Sequence, residues 1–229
     1  MKHIIRFAIY FAGLFALALG INLAIKSNLG VSPISSPPLA ISNIIGASLG
    51  TVTIGVYVLY VLVQAIILGK NFKLKDLLQI VFGFAFGYFV DFSATLLSWV
   101  QPSNYFMQGF VFCVSVIIVS MGVVMFITMD LVPNAPDGLV LAISNKTGTK
   151  FSKVKVLFDC SSVVIAALLS LGFLGYLSSI GPGTIISALV TGKVIGFFSK
   201  PLTPMLKKVA FYDTEDLTTE KKSEEEFAA

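Results

Sequence analysis

The sequence predicts an all-α membrane protein. Six transmembrane helices form a 3+3 inverted-topology repeat, and each half carries a broken or re-entrant half-helix after its first span. Three observations lead there. Of 229 residues, 56% are hydrophobic and only 12% are charged, with a mean hydropathy of +0.90. Apolar runs reach the roughly 20 residues that a helix needs to cross a bilayer core. The pentapeptide Leu39-Ala40-Ile41-Ser42-Asn43 returns as Leu141-Ala142-Ile143-Ser144-Asn145.

The composition excludes several classes. A soluble domain carries about 25% charged residues, so an ordinary soluble enzyme is excluded, and so is a disordered chain. Cys113 and Cys160 are the only cysteines, too few for a disulfide scaffold. Membrane β-barrels alternate polar and apolar residues in short strands, and no such alternation is present.

The six predicted spans are Ile4–Ile25, Thr51–Leu68, Leu77–Val100, Phe106–Met129, Val154–Tyr176 and Thr184–Ser199. Lys2, Arg6 and Ala16-Leu17-Ala18 give the first span some features of a signal peptide. Its apolar run continues past that point, and it has a counterpart later in the chain, so it is read as a span. Six spans put Lys2, Arg6, Lys70, Lys73, Lys75, Lys146, Lys150, Lys153, Lys155, Lys200, Lys207, Lys208, Lys221 and Lys222 on one side and only Lys26 on the other. By the positive-inside rule both termini are cytoplasmic. The net charge of +4 therefore reflects topology. No basic patch with interleaved aromatics is present, so no nucleic-acid partner is expected.

The pentapeptide belongs to a longer match at one offset, in which Gly20, Ile25, Leu29 and Gly46 meet Gly122, Ile127, Leu131 and Gly148. Gly83-x-x-x-Gly87 with Tyr88-Phe89 meets Gly192-x-x-x-Gly196 with Phe197-Phe198, the change of offset falling in a longer loop near Gly172–Gly183. The halves are residues 1–100 and 101–210, with three spans each, so the second enters the membrane from the opposite side. Many secondary transporters are built this way. Residues 211–229, rich in Asp and Glu, read as a disordered cytoplasmic tail.

Polar chemistry concentrates in two broken segments, 28–45 and 130–145. Each has Pro and Gly, which interrupt a helix, followed by an apolar run too short to span. The expected structure is an extended stretch and then a half-helix. Ser35 or Ser36, and Asp137, stand where they would cap the half-helices. Irregular backbone at membrane depth survives only inside protein or along a wet cavity. A helix N-terminus there favours negative charge, so a small anionic or zwitterionic substrate is expected at Ser32, Ser35, Ser36, Asn134, Asp137 and Gly138.

Charges in or near spans are few: Asp91, Asp130, Asp137, Asp159 and Lys193. Intramembrane ionisable groups are costly and mark function by default. Lys193 lies mid-span between Gly192 and Gly196, and Asp91, Asp137 or Asp159 is its expected partner. Such a pair would couple transport to protons or fix helix packing. Ala8, Ala12, Ala16, Gly20 and Ala24 form a small-residue stripe suited to close helix approach, with a neighbouring helix or with a partner. A homodimer is compatible with so small a bundle. No metal set, no cofactor loop and no catalytic set is found, so the chain reads as a non-enzyme without cofactors.

These motifs resemble the bacterial YczE/YyaS/YitT membrane proteins. The resemblance rests on Gly30-x-Ser-Pro33, on Ser42-Asn43-x-x-Gly46-x-Ser48-x-Gly50-Thr51-Val52, on Pro136-Asp137-Gly138-Leu139 and on Gly181-x-Gly183-Thr184-Ile185. It covers about residues 10–200. It is closer to the YczE branch, because YitT-type proteins carry a folded cytoplasmic domain where only a short acidic tail follows here. Two positions depart from the family pattern. Ser35 and Ser36 replace an acidic residue, and Pro136 and Asp137 adjoin without an intervening basic residue. The resemblance implies an integral protein of the bacterial cytoplasmic membrane. The leading expectation is a small secondary transporter. The alternatives are an accessory or regulatory membrane protein, or the substrate-capturing subunit of a multi-component importer.

Overall fold

A computed structural model describes residues 2–211. The acidic tail expected from the sequence lies, beyond residue 211, outside the described residues. The described chain is all helical, with eight helices and no strands. They are α1 (Lys2–Lys26), α2 (Ser36–Ile45), α3 (Leu49–Leu68), α4 (Leu78–Leu96), α5 (Tyr105–Thr128), α6 (Ala135–Thr147), α7 (Phe151–Leu174) and α8 (Pro182–Ala210). All but α2 and α6 are long and apolar enough to cross a membrane, and large apolar side chains cover the outside of the bundle. Such a surface belongs in a lipid bilayer.

The centre of the fold is the α1–α5 crossing. Gly13 and Gly122 meet there backbone to backbone. A methyl group on Gly13 would sit 2.9 Å from the Gly122 carbonyl oxygen, and one on Gly122 would sit 2.7 Å from the Gly13 oxygen. Hydrogen at Cα is what allows this approach. The small-residue stripe of α1 therefore serves in part inside the molecule, since Gly20 meets Val119 and Ser115 of α5. Tyr10, Leu14, Leu17, Phe86, Val90, Phe126 and Met129 fill the core around this crossing. Asn22, fully enclosed, ties α1 to α4 by donating to the Val90 carbonyl (2.8 Å) and to Ser93 Oγ (2.7 Å).

The rest packs in pairs. α4 lies on α1, and α8 on α5; α6 lies on α3, and α2 on α7. α3 also packs closely along α4, whereas α7 and α8 share no comparable seam. The α3–α4 seam is close because Gly50 and Gly87 face each other, and a methyl group on Gly87 would lie 2.7 Å from the Gly50 oxygen.

The two short helices begin earlier than the sequence suggests. Pro37, Pro38 and Pro136 lie in their first turns, where a missing N–H costs nothing and the fixed φ suits the helix. Each short helix has its first residues buried and its last residues at the surface. Their surroundings match in detail. Asn28 (φ 57°) and Asp130 (φ 47°) end the preceding long helices. Ser32 and Asn134 are extended at φ −60° and −62°. Gly46 and Gly148 close the short helices at φ 70° and 67°. The repeated pentapeptide has a job at this end: Ser42 Oγ donates to the Ala47 carbonyl and Ser144 Oγ to the Thr149 carbonyl, both at 2.7 Å.

α8 corrects the expected end at Ser199. It runs through Pro201 and Pro204 to Ala210, on a stretch where polar neighbours and Lys207 and Lys208 mark the edge of the apolar zone. There water or the Ser199–Thr203 hydroxyl pair (3.0 Å) can meet groups that proline leaves unbonded.

Candidate functional site

The buried start of α6 is where polar side chains of α1, α3 and α4 converge. Asn134 precedes it; its Oδ1 accepts from the Ala135 N–H at 3.2 Å, and its Nδ2 donates to the hydroxyl oxygen of Tyr57 at 3.2 Å. Asn134 is thus the cap, and the expectation that Asp137 caps this helix is corrected. Tyr10 of α1 donates to the Val132 carbonyl at 3.1 Å. Gln64 of α3 donates to the Ala135 carbonyl (3.1 Å) and exchanges amide hydrogen bonds of 3.0 and 3.1 Å with Gln79 of α4. Both glutamines are almost wholly buried, so each needs these partners.

Gly138 makes that arrangement possible. A methyl group there would lie 2.6 Å from Gln79 Oε1 and 2.8 Å from Gln64 Oε1. Its role is close approach to the glutamine pair.

In the first turn of α6, Asp137 points toward α7. Lys155 Nζ stands 3.2 Å from Asp137 Oδ1 and 3.4 Å from Asp159 Oδ1. All three side chains are 25–31% exposed. Tyr57 stacks on Phe86 at 5.7 Å and on Tyr60 at 6.3 Å, and Tyr60 meets Phe158 edge-on at 5.5 Å. The result is a charged triad beside an aromatic wall, with two carboxylates sharing one ammonium. Low surrounding polarity strengthens each of those interactions. Such a triad can exchange its lysine for another cation, or take up a proton to balance the second carboxylate.

Lys155, rather than Lys193, is the lysine beside these aspartates. The expected pairing of Lys193 is therefore corrected: it is exposed on α8, without an ion pair among the described residues. In the sequence Lys155 falls at the very start of the predicted Val154–Tyr176 span, where it reads as one more lysine of the cytoplasmic side. Asp91 is likewise engaged elsewhere. Its carboxylate accepts from the Gly50 N–H at 2.7 Å and from Ser48 Oγ at 2.6 Å, which caps α3 from α4. Asp130 is exposed and lines a cleft of about 530 Å³ with Thr128, Ser199, Thr203 and Lys207.

The serines form a separate group at the start of α2. The Ser32 and Ser35 hydroxyls are 2.9 Å apart, and Ser36 Oγ donates to the Ser32 carbonyl at 3.0 Å. Neither Ser35 nor Ser36 accepts a capping bond of the expected kind, since the hydroxyl of Ser35 is turned to Ser32. Ser32 lines a crevice of about 20 Å³ with Ser115, Ser187 and Thr191, space for about one water.

Comparison with known proteins bears out the resemblance read from the motifs. The chain is 28% identical over 195 residues to the uncharacterized membrane protein YczE of Bacillus subtilis (strain 168), covering 85% of each chain. It is 24% identical over 194 residues to the uncharacterized protein YyaS of the same organism, covering 84% of this chain and 92% of YyaS. No solved structure matches. A family model matches residues 4–200, and the chain belongs to that family, the family of unknown function DUF6198.

Proposed function

We propose that this chain is a small secondary transporter of the bacterial cytoplasmic membrane, built as a 3+3 inverted-topology repeat of residues 1–100 and 101–210. One observation carries the transport reading: the Asp137–Lys155–Asp159 triad beside the buried start of a half-helix. A purely structural bundle has little use for three ionisable groups between spans. The repeat is supported by the twin features around α2 and α6, which share one offset: Asn28 with Asp130, Ser32 with Asn134, and Gly46 with Gly148. It is also supported by the paired packing of α4 on α1 and α8 on α5, and of α6 on α3 and α2 on α7. The lysine asymmetry favours cytoplasmic termini.

The solute we assign is small and zwitterionic. Its ammonium replaces Lys155 at one carboxylate, and its acidic group takes the released Lys155 and the polar groups of Asn134 and Tyr57. The test is a thermal-shift screen of zwitterionic, anionic and cationic metabolites on purified protein, followed by uptake of the hits into proteoliposomes. A zwitterion that raises the melting temperature of wild type, but not of Asp159→Asn or Asp137→Asn, and is then taken up supports transport. Binding without uptake favours a capturing subunit. No hit, with all variants alike, favours the accessory reading.

A further inference from the structure

The α3–α4 seam has an unformed twin, and we infer that α7 closes onto α8 in a second state of the protein, bringing Lys193 to Asp159. This inference rests on the repeat reading above. In the formed seam, Gly83 meets the Tyr57 side chain, Gly87 meets Ile54 and the Gly50 carbonyl, and Asp91 caps Gly50 and Ser48. At the offsets of the repeat, α4 maps on α8 and α3 on α7. Gly83, Gly87 and Asp91 become Gly192, Gly196 and Lys200, while Ser48, Gly50, Ile54 and Tyr57 become Lys150, Ser152, Val156 and Asp159.

Both twin faces are open in the same molecule. Nothing lies within 4 Å of a methyl group placed on Gly192 or Gly196, and Val156 is 63% exposed. Lys193 is exposed beside Gly192, an expensive place for a bare ammonium in a span. The mapping puts Gly192 against Asp159, so Lys193 lands at the rim of the closed seam next to that carboxylate. Depths agree. Asp159 is about 12 Å along α7 from its first residue, and Lys193 is about 10 Å along α8 from Lys200, at 1.5 Å per residue.

The mapping also explains why this seam rests open. Asp91 satisfies the free Gly50 N–H at the start of α3, as an anion at a helix N-terminus should. Its twin Lys200 would bring a positive charge to the positive end of α7, beside Lys150. The lock holds in one half and repels in the other.

The test is a cysteine pair, Ser152→Cys with Gly196→Cys, in a background carrying Cys113→Ser and Cys160→Ser, in liposomes at high lipid-to-protein ratio. An intramolecular disulfide, found by mass spectrometry after mild oxidation, is expected. Adding Lys200→Asp should raise its rate about five-fold, the effect of gaining one helix cap. Lys193→Met should lower it. No link while both thiols react with maleimide overturns closure, and a link only between chains, falling with dilution, assigns the faces to a second copy instead. A rate indifferent to Lys193→Met overturns the Lys193–Asp159 contact. None of these readouts uses a solute, so closure can fail while the binding result stands.

Discussion

Asn28 and Asp130 are the two non-glycine residues with positive φ among the described residues, and each breaks the chain just before a short helix. Their N–H groups bond back to the Ile25 and Ile127 carbonyls, at 3.0 and 3.1 Å. Asn and Asp tolerate this conformation better than other side chains with a Cβ. Asn28→Val and Asp130→Val should each cost about 1–3 kcal/mol, whereas Asn28→Gly and Asp130→Gly should cost nothing or stabilise slightly. Unfolding in mixed micelles with increasing SDS measures all four. Equal tolerance of valine and glycine would show that the positive φ is not enforced.

Gly138→Ala should disturb more than its size suggests. The added methyl group meets two buried amide oxygens, and moving either glutamine leaves polar atoms unpaired at about 1–3 kcal/mol. Gln79→Ala removes the nearer of the two oxygens and frees Gln64 to shift away from the methyl group, so the double variant Gly138→Ala/Gln79→Ala should cost less than the sum of the single ones. A double-mutant cycle on unfolding free energy reads this directly. Additive effects would mean that Gly138 and Gln79 act separately.

Much of this fold is written in local sequence. Hydropathy locates the six long helices, and Pro with Gly locates the two short ones, because both signals act within a few residues. The pentapeptide is legible as a repeat, and Ser42 and Ser144 give its reason. The site is less legible, because its partners depend on which face of a helix meets which neighbour. Lys193 looks central in a one-dimensional span, yet faces outward. Lys155 looks like one more lysine at a span end, yet the first turns of α7 carry it to Asp137. Asp91 reads as a partner for Lys193, and nothing near it in sequence announces that α3 needs its carboxylate. Gln64 and Gln79 are single polar residues in two different apolar spans, and only the packing of α3, α4 and α6 makes them a pair that holds the start of α6.

Lys155→Met should be the most damaging of the triad substitutions. It leaves Asp137 and Asp159 as two close carboxylates without their cation, and removing one member of a partly enclosed pair costs about 1–3 kcal/mol. Asp137→Asn leaves Lys155 with Asp159 and should cost less. Lys155→Met/Asp137→Asn should recover part of the loss, since one carboxylate is then neutral. Melting temperatures in detergent at neutral pH rank the three. If Lys155→Met matches wild type, the ammonium contributes nothing to the folded state and the triad is an incidental surface group.

Asp91 offers the last case, because its contacts separate charge from geometry. The carboxylate uses one oxygen for the Gly50 N–H and the other for the Ser48 hydroxyl, and it sits where the backbones of α3 and α4 are closest. Asp91→Ala removes both bonds and the negative charge at the start of α3, a loss of about 1–2 kcal/mol for a capping group. Asp91→Asn keeps one acceptor oxygen and should retain about half of that. The substitution also bears on where opening begins. If the α3–α4 seam is held by this lock, Asp91→Ala should raise hydrogen exchange at the first turns of α3 selectively and leave the buried start of α6 protected. Uniform exchange across the bundle would instead show that Asp91 supports the whole fold and that the seam does not open on its own.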